Sequence, residues 1–161
     1  MNLSQQLAAH VRAMLTGSNY TGVNLHSLLN DVILTQATTQ IHSLNTIASL
    51  TFHINYYISA VLKVLQGGAL EAHDKYSFDC PSLLKEEEWE YLKMKLYSDV
   101  ELFTLLIEQI PESQWNKNFI DGKYGTWYRN IAGIIEHTHY HMGQIALIKK
   151  LLKLQIINDK N

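Results

Sequence analysis

Only two prolines interrupt this chain of 161 residues, so long stretches are available to form helices. Within those stretches apolar residues recur every three or four positions, the spacing that gives an α-helix one buried face. The pattern predicts four long amphipathic helices, over residues 3–15, 45–66, 85–110 and 126–156. Two shorter helical pieces are expected, over residues 25–30 and 34–39. Asn45 is the predicted N-cap of the second long helix, and no useful stretch alternates as a β-strand would.

These helices predict an all-α protein in which residues 1–161 form a single domain. A hydrophobic content of 47% with 17% charged residues is ordinary for a globular chain. Four amphipathic helices joined by one short and two long connections indicate a four-helix bundle, but not a simple up-down-up-down arrangement. The most apolar window, residues 47–65, contains His53, Asn55 and Lys63, so it is expected to be a core helix and not a membrane span.

Charge and cysteine content argue against several classes of function. The net charge is −2, and the basic residues are dispersed except around Lys149, Lys150 and Lys153, which argues against a nucleic-acid-binding groove. Cys80 is the only cysteine, so no internal disulfide can form and a reducing compartment is expected. Because the first residues also lack the pattern of a signal peptide, we expect a cytoplasmic protein with no membrane partner. Cys80 itself is interpreted as an incidental loop thiol.

Three histidines in the predicted helices have the arrangement of a metal site. His137 and His141 are one helical turn apart, which places them about 40° apart in azimuth and about 6 Å apart along the axis. His53 occupies the corresponding flank of the apolar face of the second long helix. Two imidazoles at this spacing can hold one divalent ion, and a third from a neighbouring helix can complete a site that keeps coordination positions open. Open positions are what a metal ion needs for catalysis.

A polar ridge on the last long helix supports this interpretation. Five polar or small residues lie within roughly 80° of azimuth beside its apolar centre: Asn130, Gly133, His137, His141 and Gln144. Such a ridge is costly next to a core unless a partner satisfies it. Gly133 leaves space beside His137 for a substrate, whereas His139 lies about 200° away from His137 and is excluded as a ligand. The alternative is that these histidines are hydrogen-bonded interior residues, or exposed ones, without a metal.

Other polar residues have weaker patterns. Asp99 flanks the buried stripe of the third long helix and is interpreted as a solvated boundary residue; the alternative is a carboxylate that orients a ligand imidazole. Tyr57 and Tyr140 are interpreted as packing aromatics, although a phenol next to a metal ion would be useful for catalysis. His10 is treated as a packing or surface residue. Glu136 lies about 100° around the helix from His137 and is a poor ligand candidate.

Five motifs spread over nearly the whole chain carry a family resemblance: HINYY (53–57), VLQGG (64–68), DKYSFD (74–79), KYGTWYRNI (123–131) and HTHYHMGQ (137–144). They resemble the DinB/YfiT-like family of metal-binding four-helix bundles. The pattern of that family is a histidine in the second helix followed by H-x₃-H-x-G-Q in the last long helix. In this chain His53, His137 and His141 match the three histidines, and Gly143 and Gln144 match the residues that follow.

The resemblance implies a bound divalent metal ion, with zinc or nickel expected, and often a homodimer. Members of the family include transferases that use low-molecular-weight thiols such as bacillithiol, mycothiol or glutathione, a thiol-dependent isomerase and proposed hydrolases. The family name reflects damage-inducible expression, which indicates a stress response and not DNA binding. The first hypothesis is therefore an enzyme whose three histidines hold an ion that activates such a thiol for attack on a small-molecule electrophile. Gln144 or Tyr57 would hydrogen-bond the incoming substrate.

Two alternatives stay open. A metal-dependent hydrolase would use water on the same ion as its nucleophile, although no distinct general base stands out near the histidines. A non-catalytic protein would use the metal or a small ligand to fix the fold or to report a signal. Metal removal discriminates between catalysis and structure, because a structural ion contributes folding energy and a catalytic one contributes mainly activity. The identity of the metal is left open, since three histidines suit zinc, nickel, copper and iron alike.

Overall fold

The computed structural model describes residues 1–158, with residues 156–158 described by their backbone alone, and residues 159–161 of the predicted domain lie outside it. Within the described part the chain is all-α, with no β-strand, as predicted. Its helices are α1 (Leu3–Leu15), α2 (Leu25–Leu29), α3 (Leu34–Thr38), α4 (Ile47–Leu65), α5 (Glu86–Glu108) and α6 (Trp127–Asn158). Every predicted helix is present, with bounds that agree to within a turn.

The two ends of α4 determine how the chain enters and leaves the histidine-bearing helix. Thr46 is the N-cap, because its side-chain oxygen accepts a hydrogen bond from the N–H of Ser49 at 3.1 Å. The predicted cap Asn45 is therefore wrong by one residue, since both residue types cap helices and apolar spacing does not locate an end so finely. After α4, Gly67 adopts a φ of +86°, the left-handed conformation that glycine reaches without strain.

The four long helices form a four-helix bundle. Helix α5 packs against α1 and α4, and α6 packs against the same pair, so α1 and α4 lie at opposite corners. The connections formed by residues 16–46 and 109–126 therefore cross between opposite corners, and residues 66–85 join neighbouring helices. This agrees with the prediction that the bundle is not simply up-down-up-down. The prediction that one connection is short is wrong, because all three connections between the long helices are long. The first of them contains α2 and α3.

Buried tryptophans attach the long connections to the bundle. Trp89 of α5 is fully buried, and its Nε1 donates a hydrogen bond to the backbone oxygen of Val32 at 2.6 Å. Trp115, in the connection before α6, donates from Nε1 to the Oγ of Ser4 at 2.9 Å. The connections are therefore parts of the packed structure, which lets them form walls of a site. Among residues 1–158 no helix combines the length and the hydropathy that a bilayer crossing requires.

Candidate metal centre

The three predicted histidines converge between α4 and α6. His137 Nε2 lies 3.0 Å from His53 Nε2 and 3.1 Å from His141 Nε2. One ligand atom from each of the three residues lies within 4.8 Å of the other two, and His53 and His141 are buried. The convergence arises because α4 and α6 are packed neighbours and each histidine lies on the flank that faces the other helix. The cluster is therefore close enough to hold a single metal ion.

The spacing of the nitrogens fits octahedral or tetrahedral coordination of a first-row divalent ion. With metal–nitrogen bonds of about 2.0–2.1 Å, two imidazole nitrogens at angles of about 90–110° are separated by roughly 2.8–3.4 Å. The two separations in the structure, 3.0 and 3.1 Å, fall in that range. Three nitrogens on one side of an ion would leave the opposite side open to a further ligand.

Hydrogen bonds on the far side of two rings orient the ligand nitrogens. His53 Nδ1 donates to the backbone oxygen of Ser77 at 3.1 Å, and His141 Nδ1 lies 2.6 Å from Gln144 Oε1. Because a carbonyl oxygen only accepts, Nδ1 of each ring carries the proton and Nε2 keeps its lone pair. These outer partners fix the tautomer that a metal ligand needs. The predicted contact of Gln144 with substrate stays a prediction; its Oε1 lies against His141 Nδ1 in the structure.

Substitution of Gln144 by leucine is expected to weaken metal binding by about 10–100-fold, the usual effect of losing the outer partner of a ligand imidazole. The leucine keeps the size of the side chain and removes the acceptor for His141 Nδ1. Gln144→Glu is the matched control, because a carboxylate oxygen accepts the same hydrogen bond and should keep most of the affinity. Isothermal titration with Zn²⁺ or Ni²⁺ measures both. Equal affinity of the leucine and glutamate variants would contradict this role.

Burial favours the neutral form of two imidazoles of the cluster, those of His53 and His137. Burial lowers the pKa of His137 to about 4, and the nearby rings of His141 and His53 act in the same direction. Burial also lowers the pKa of His53, partly offset by its hydrogen bond to Ser77. A metal ion binds only the neutral form of imidazole, so these shifts favour binding over protonation at neutral pH.

Aromatic rings enclose the cluster on three sides. Phe78 stacks on His53 with ring centroids 3.8 Å apart and planes 12° apart. Tyr57 contacts His53 and His137 edge to face, at centroid distances of 5.2 and 4.9 Å. Tyr140 lies in the same manner against His141 at 4.9 Å. This packing holds the rings in place and leaves access mainly from the side of His137, which is less buried than the other two.

A cavity of about 380 Å³ opens beside His137. Its walls come from α4, from the 66–85 connection, from the loop before α6 and from α6 itself, and they include Tyr57, Asp74, Phe119, Tyr124, Arg129 and Gly133. The volume is within the range of about 300–1,000 Å³ that is typical of small-molecule sites. Gly133 lines the cavity one turn before His137, as its position on the polar ridge predicted.

Asp74 is a candidate functional residue that sequence reasoning did not select. The Tyr57 hydroxyl donates to Asp74 Oδ1 at 2.8 Å, and both residues line the cavity. Burial and this hydrogen bond raise the pKa of Tyr57, so its hydroxyl stays protonated and acts as a donor. The signal available was the DKYSFD motif, which begins with Asp74, but nothing in the sequence indicated that its carboxylate would reach Tyr57.

The other histidines and the acidic residue that the sequence analysis considered near His137 lie outside the cluster. His139 lies outside it, as its azimuth predicts: its Nδ1 donates to the backbone oxygen of Ile135 at 2.9 Å, and its ring lies 6.0 Å from that of His10. His10 is exposed, in agreement with its interpretation as a packing or surface residue. Glu136 pairs with Arg129 at 3.1 Å on the exposed side of α6, away from ligand distance.

The interpretation of Asp99 as a solvated residue is wrong, and it is not seen to orient an imidazole either. Asp99 is buried, and its Oδ2 accepts a hydrogen bond from Ser59 Oγ at 2.6 Å and pairs with Lys95 Nζ. Two donors offset the cost of burying the carboxylate, so it links α4 to α5. Cys80 is half-buried, and burial raises the pKa of its thiol, which suits an incidental thiol better than a nucleophile.

Comparisons of the chain with family models, curated proteins and solved structures return no match. The resemblance to the DinB/YfiT-like family therefore depends on the sequence motifs alone. The geometry of the three-histidine cluster is independent of that resemblance.

Proposed function

We propose that the protein is a metal-dependent enzyme of the DinB/YfiT-like type that transfers a low-molecular-weight thiol to a small electrophile. In this proposal His53, His137 and His141 hold a divalent ion, with Zn²⁺ or Ni²⁺ expected. The observation that carries it is the separation of the imidazole nitrogens, 3.0 and 3.1 Å around His137 Nε2, next to a cavity of about 380 Å³. A purely structural ion would have no use for an open side that faces a cavity.

An ion held by His53, His137 and His141 would supply positive charge that favours the deprotonated form of a thiol in the cavity. The chain supplies the rest. The Asp74 carboxylate, which accepts a hydrogen bond from the Tyr57 hydroxyl and lines the cavity, would accept the proton of the incoming thiol. The sulfur lone pair would then form a bond to the electrophilic carbon while the bond from that carbon to the leaving group breaks. The leaving group departs with that electron pair, and the proton held by Asp74 passes to it or to solvent. Phe119, Leu70 and Ile134 give the cavity apolar walls that exclude water from this exchange.

A second candidate function is hydrolysis at the same centre. The sequence offered no general base near the histidines, but Asp74 lines the cavity together with His137. A carboxylate in that position supports activation of water as well as of a thiol. The two functions differ in whether turnover requires an added thiol.

Assays of untagged protein test the proposal. Metal content is measured first, followed by turnover of 1-chloro-2,4-dinitrobenzene and of a bimane electrophile with bacillithiol, mycothiol and glutathione. We expect about one ion per chain and thiol-dependent turnover that a chelator abolishes and added Zn²⁺ or Ni²⁺ restores. Ester or amide hydrolysis without thiol would favour the second candidate. A different result would contradict both the transferase and the hydrolase. It is that metal-replete protein turns over none of these compounds and loses its fold when the metal is removed, which would indicate a structural ion.

Homodimerisation and a cytoplasmic location stay predictions of the sequence. Light scattering after size-exclusion chromatography measures the first, and fractionation of cells measures the second. A monomer would remove the dimer without affecting the proposed chemistry, because all three histidines come from one chain.

A further inference from the structure

The cavity beside His137 has one cationic side chain among the described residues that line it, that of Arg129. Its one acidic side chain, that of Asp74, already accepts a hydrogen bond from the Tyr57 hydroxyl. Apolar residues make up most of the other walls. A ligand that carries a negative charge into this cavity would therefore find its counter-charge at Arg129, because a charge next to apolar walls needs a partner.

The absence of a side chain at Gly133 determines where the guanidinium of Arg129 lies. A Cβ added at residue 133 would be 3.4 Å from Arg129 Nη1, so the guanidinium borders the space that a larger residue would occupy. Arg129, Gly133 and His137 follow one another by one turn on the same flank of α6, with about 40° between successive residues. The cationic group therefore lies on the path along α6 to His137, about one turn, or roughly 6 Å, before it.

The partner of Arg129 in the structure is an exposed carboxylate that a ligand could replace. Arg129 Nη1 donates a hydrogen bond to Glu136 Oε2 at 3.1 Å, and the two side chains are 65% and 68% exposed. Ion pairs at such exposure contribute little to stability, so exchanging Glu136 for another carboxylate costs little. A guanidinium has five N–H donors, and this is the one hydrogen bond that it makes to another side chain among the described residues.

The donors on this side of the cavity fit a carboxylate better than a phosphate. A planar guanidinium matches a carboxylate through two parallel hydrogen bonds. A phosphate group brings up to two charges and three acceptor oxygens, which is more than one guanidinium satisfies. Lys123 adds positive charge nearby, since its Nζ lies 5.2 Å from the ring centroid of Tyr124, another residue that lines the cavity.

We propose that Arg129 determines substrate specificity by binding a carboxylate of the small-molecule substrate in place of Glu136. This inference rests on the proposed function, because it assigns that carboxylate to the thiol. The carboxylate lies against Arg129, the middle of the molecule crosses the turn at Gly133, and the sulfur lies beside His137. Bacillithiol and glutathione carry carboxylates and mycothiol carries none, so the first two are the expected cosubstrates.

Two matched pairs of probes separate the effect of the carboxylate from that of the thiol. N-Acetyl-L-cysteine and its primary amide share the thiol and differ by one negative charge, and N-acetyl-L-alanine and its primary amide repeat the comparison without sulfur. Each is titrated into ¹⁵N-labelled full-length protein with equimolar Zn²⁺, and NMR follows the backbone amides of Gly133 and His137 and the Nε–H of Arg129. The other arginine, Arg12, supplies a control signal. We expect each acid to bind at least about tenfold more tightly than its amide, as a charge-assisted hydrogen bond provides.

Substitutions assign the preference to Arg129. Arg129→Gln removes the charge and should reduce the preference for the acids to less than about threefold. Arg12→Gln is the matched control and should keep the preference, because Arg12 also pairs with an exposed glutamate, Glu108 at 3.6 Å, and neither of them lines the cavity. Glu136→Gln removes the competing carboxylate, so it should raise the affinity for both acids by about two- to fivefold and leave that for the amides unchanged.

The outcomes distinguish this inference from the proposed function. Equal affinity of acid and amide in either pair, or no binding of any of the four probes, would overturn the carboxylate site. An unchanged preference in Arg129→Gln would also overturn it, since the carboxylate would then bind elsewhere, for example to the ion. If the acids keep their preference but the cysteine derivatives bind no more tightly than the alanine derivatives, the result would support the site at Arg129 and contradict the proposed thiol transfer.

Discussion

Substitution of His137 by alanine is expected to abolish stoichiometric metal binding. Its Nε2 lies within 3.1 Å of the Nε2 atoms of both other histidines, so it is the central ligand of the cluster. The dissociation constant should rise at least about a thousandfold, well beyond the roughly 10–100-fold that the loss of an outer hydrogen-bond partner produces. Metal analysis after dialysis, followed by titration calorimetry with Zn²⁺ and Ni²⁺, measures the change.

His139→Ala is the matched control for this experiment. It removes an imidazole from the same helix two residues away, and the ring it removes is engaged with the backbone of Ile135 and lies outside the cluster. Its metal content should equal that of the unsubstituted protein. If His137→Ala kept one ion per chain while His139→Ala lost it, the metal would bind on the other side of α6 and the proposed centre would be wrong.

The long helices and the clustering of the three histidines could be predicted because both depend on helical periodicity. Apolar spacing located α4, α5 and α6 to within a turn, and the angle between positions on a helix placed His137 and His141 together and His139 apart. To predict that His53 lies near His137 and His141, it was enough to see that both helices have a polar flank beside the apolar face. Helices are stiff, so local sequence pattern carries over to position in the fold.

The surroundings of the ligands could not be predicted in this way, because they come from a connection without periodicity. The acceptor for His53 Nδ1 is a backbone oxygen, at Ser77, and any residue type supplies such an oxygen. Phe78 and Asp74 reach the centre only because residues 66–85 turn back after Gly67. Asp99 was misjudged for a related reason: its donor Ser59 is on a different helix, and pairing between helices is invisible in a single segment.

Two connections between the long helices line the cavity beside His137. The three histidines of the cluster belong to the bundle, whereas the cavity beside them is lined partly by the connections 66–85 and 109–126. In the proposed function, metal binding and substrate access would therefore depend on different parts of the chain. A substitution that fills the cavity without touching a ligand should separate the two.

Gly133→Leu is expected to make that separation. Gly133 lines the cavity one turn before His137, and a Cβ added there meets only Arg129 Nη1, at 3.4 Å, the end of a flexible side chain. The leucine should therefore fit the helix and occupy the space in which substrate would lie. We expect kcat/KM for thiol transfer to fall at least about 100-fold, comparable to the effect of misplacing a substrate by about 1 Å. Metal content should stay at one ion per chain.

Gly143→Leu provides the comparison, because it is the same substitution in the same helix at an exposed position with nothing within 4 Å of the added Cβ. Both variants replace glycine inside a helix, so both should gain up to about 1 kcal/mol in the free energy of unfolding. Equal stabilisation with loss of turnover in Gly133→Leu alone would attribute the loss to the cavity and not to the fold. Full turnover in Gly133→Leu would mean that substrate reaches the centre by another route, since the ligand set and the helix would both be intact.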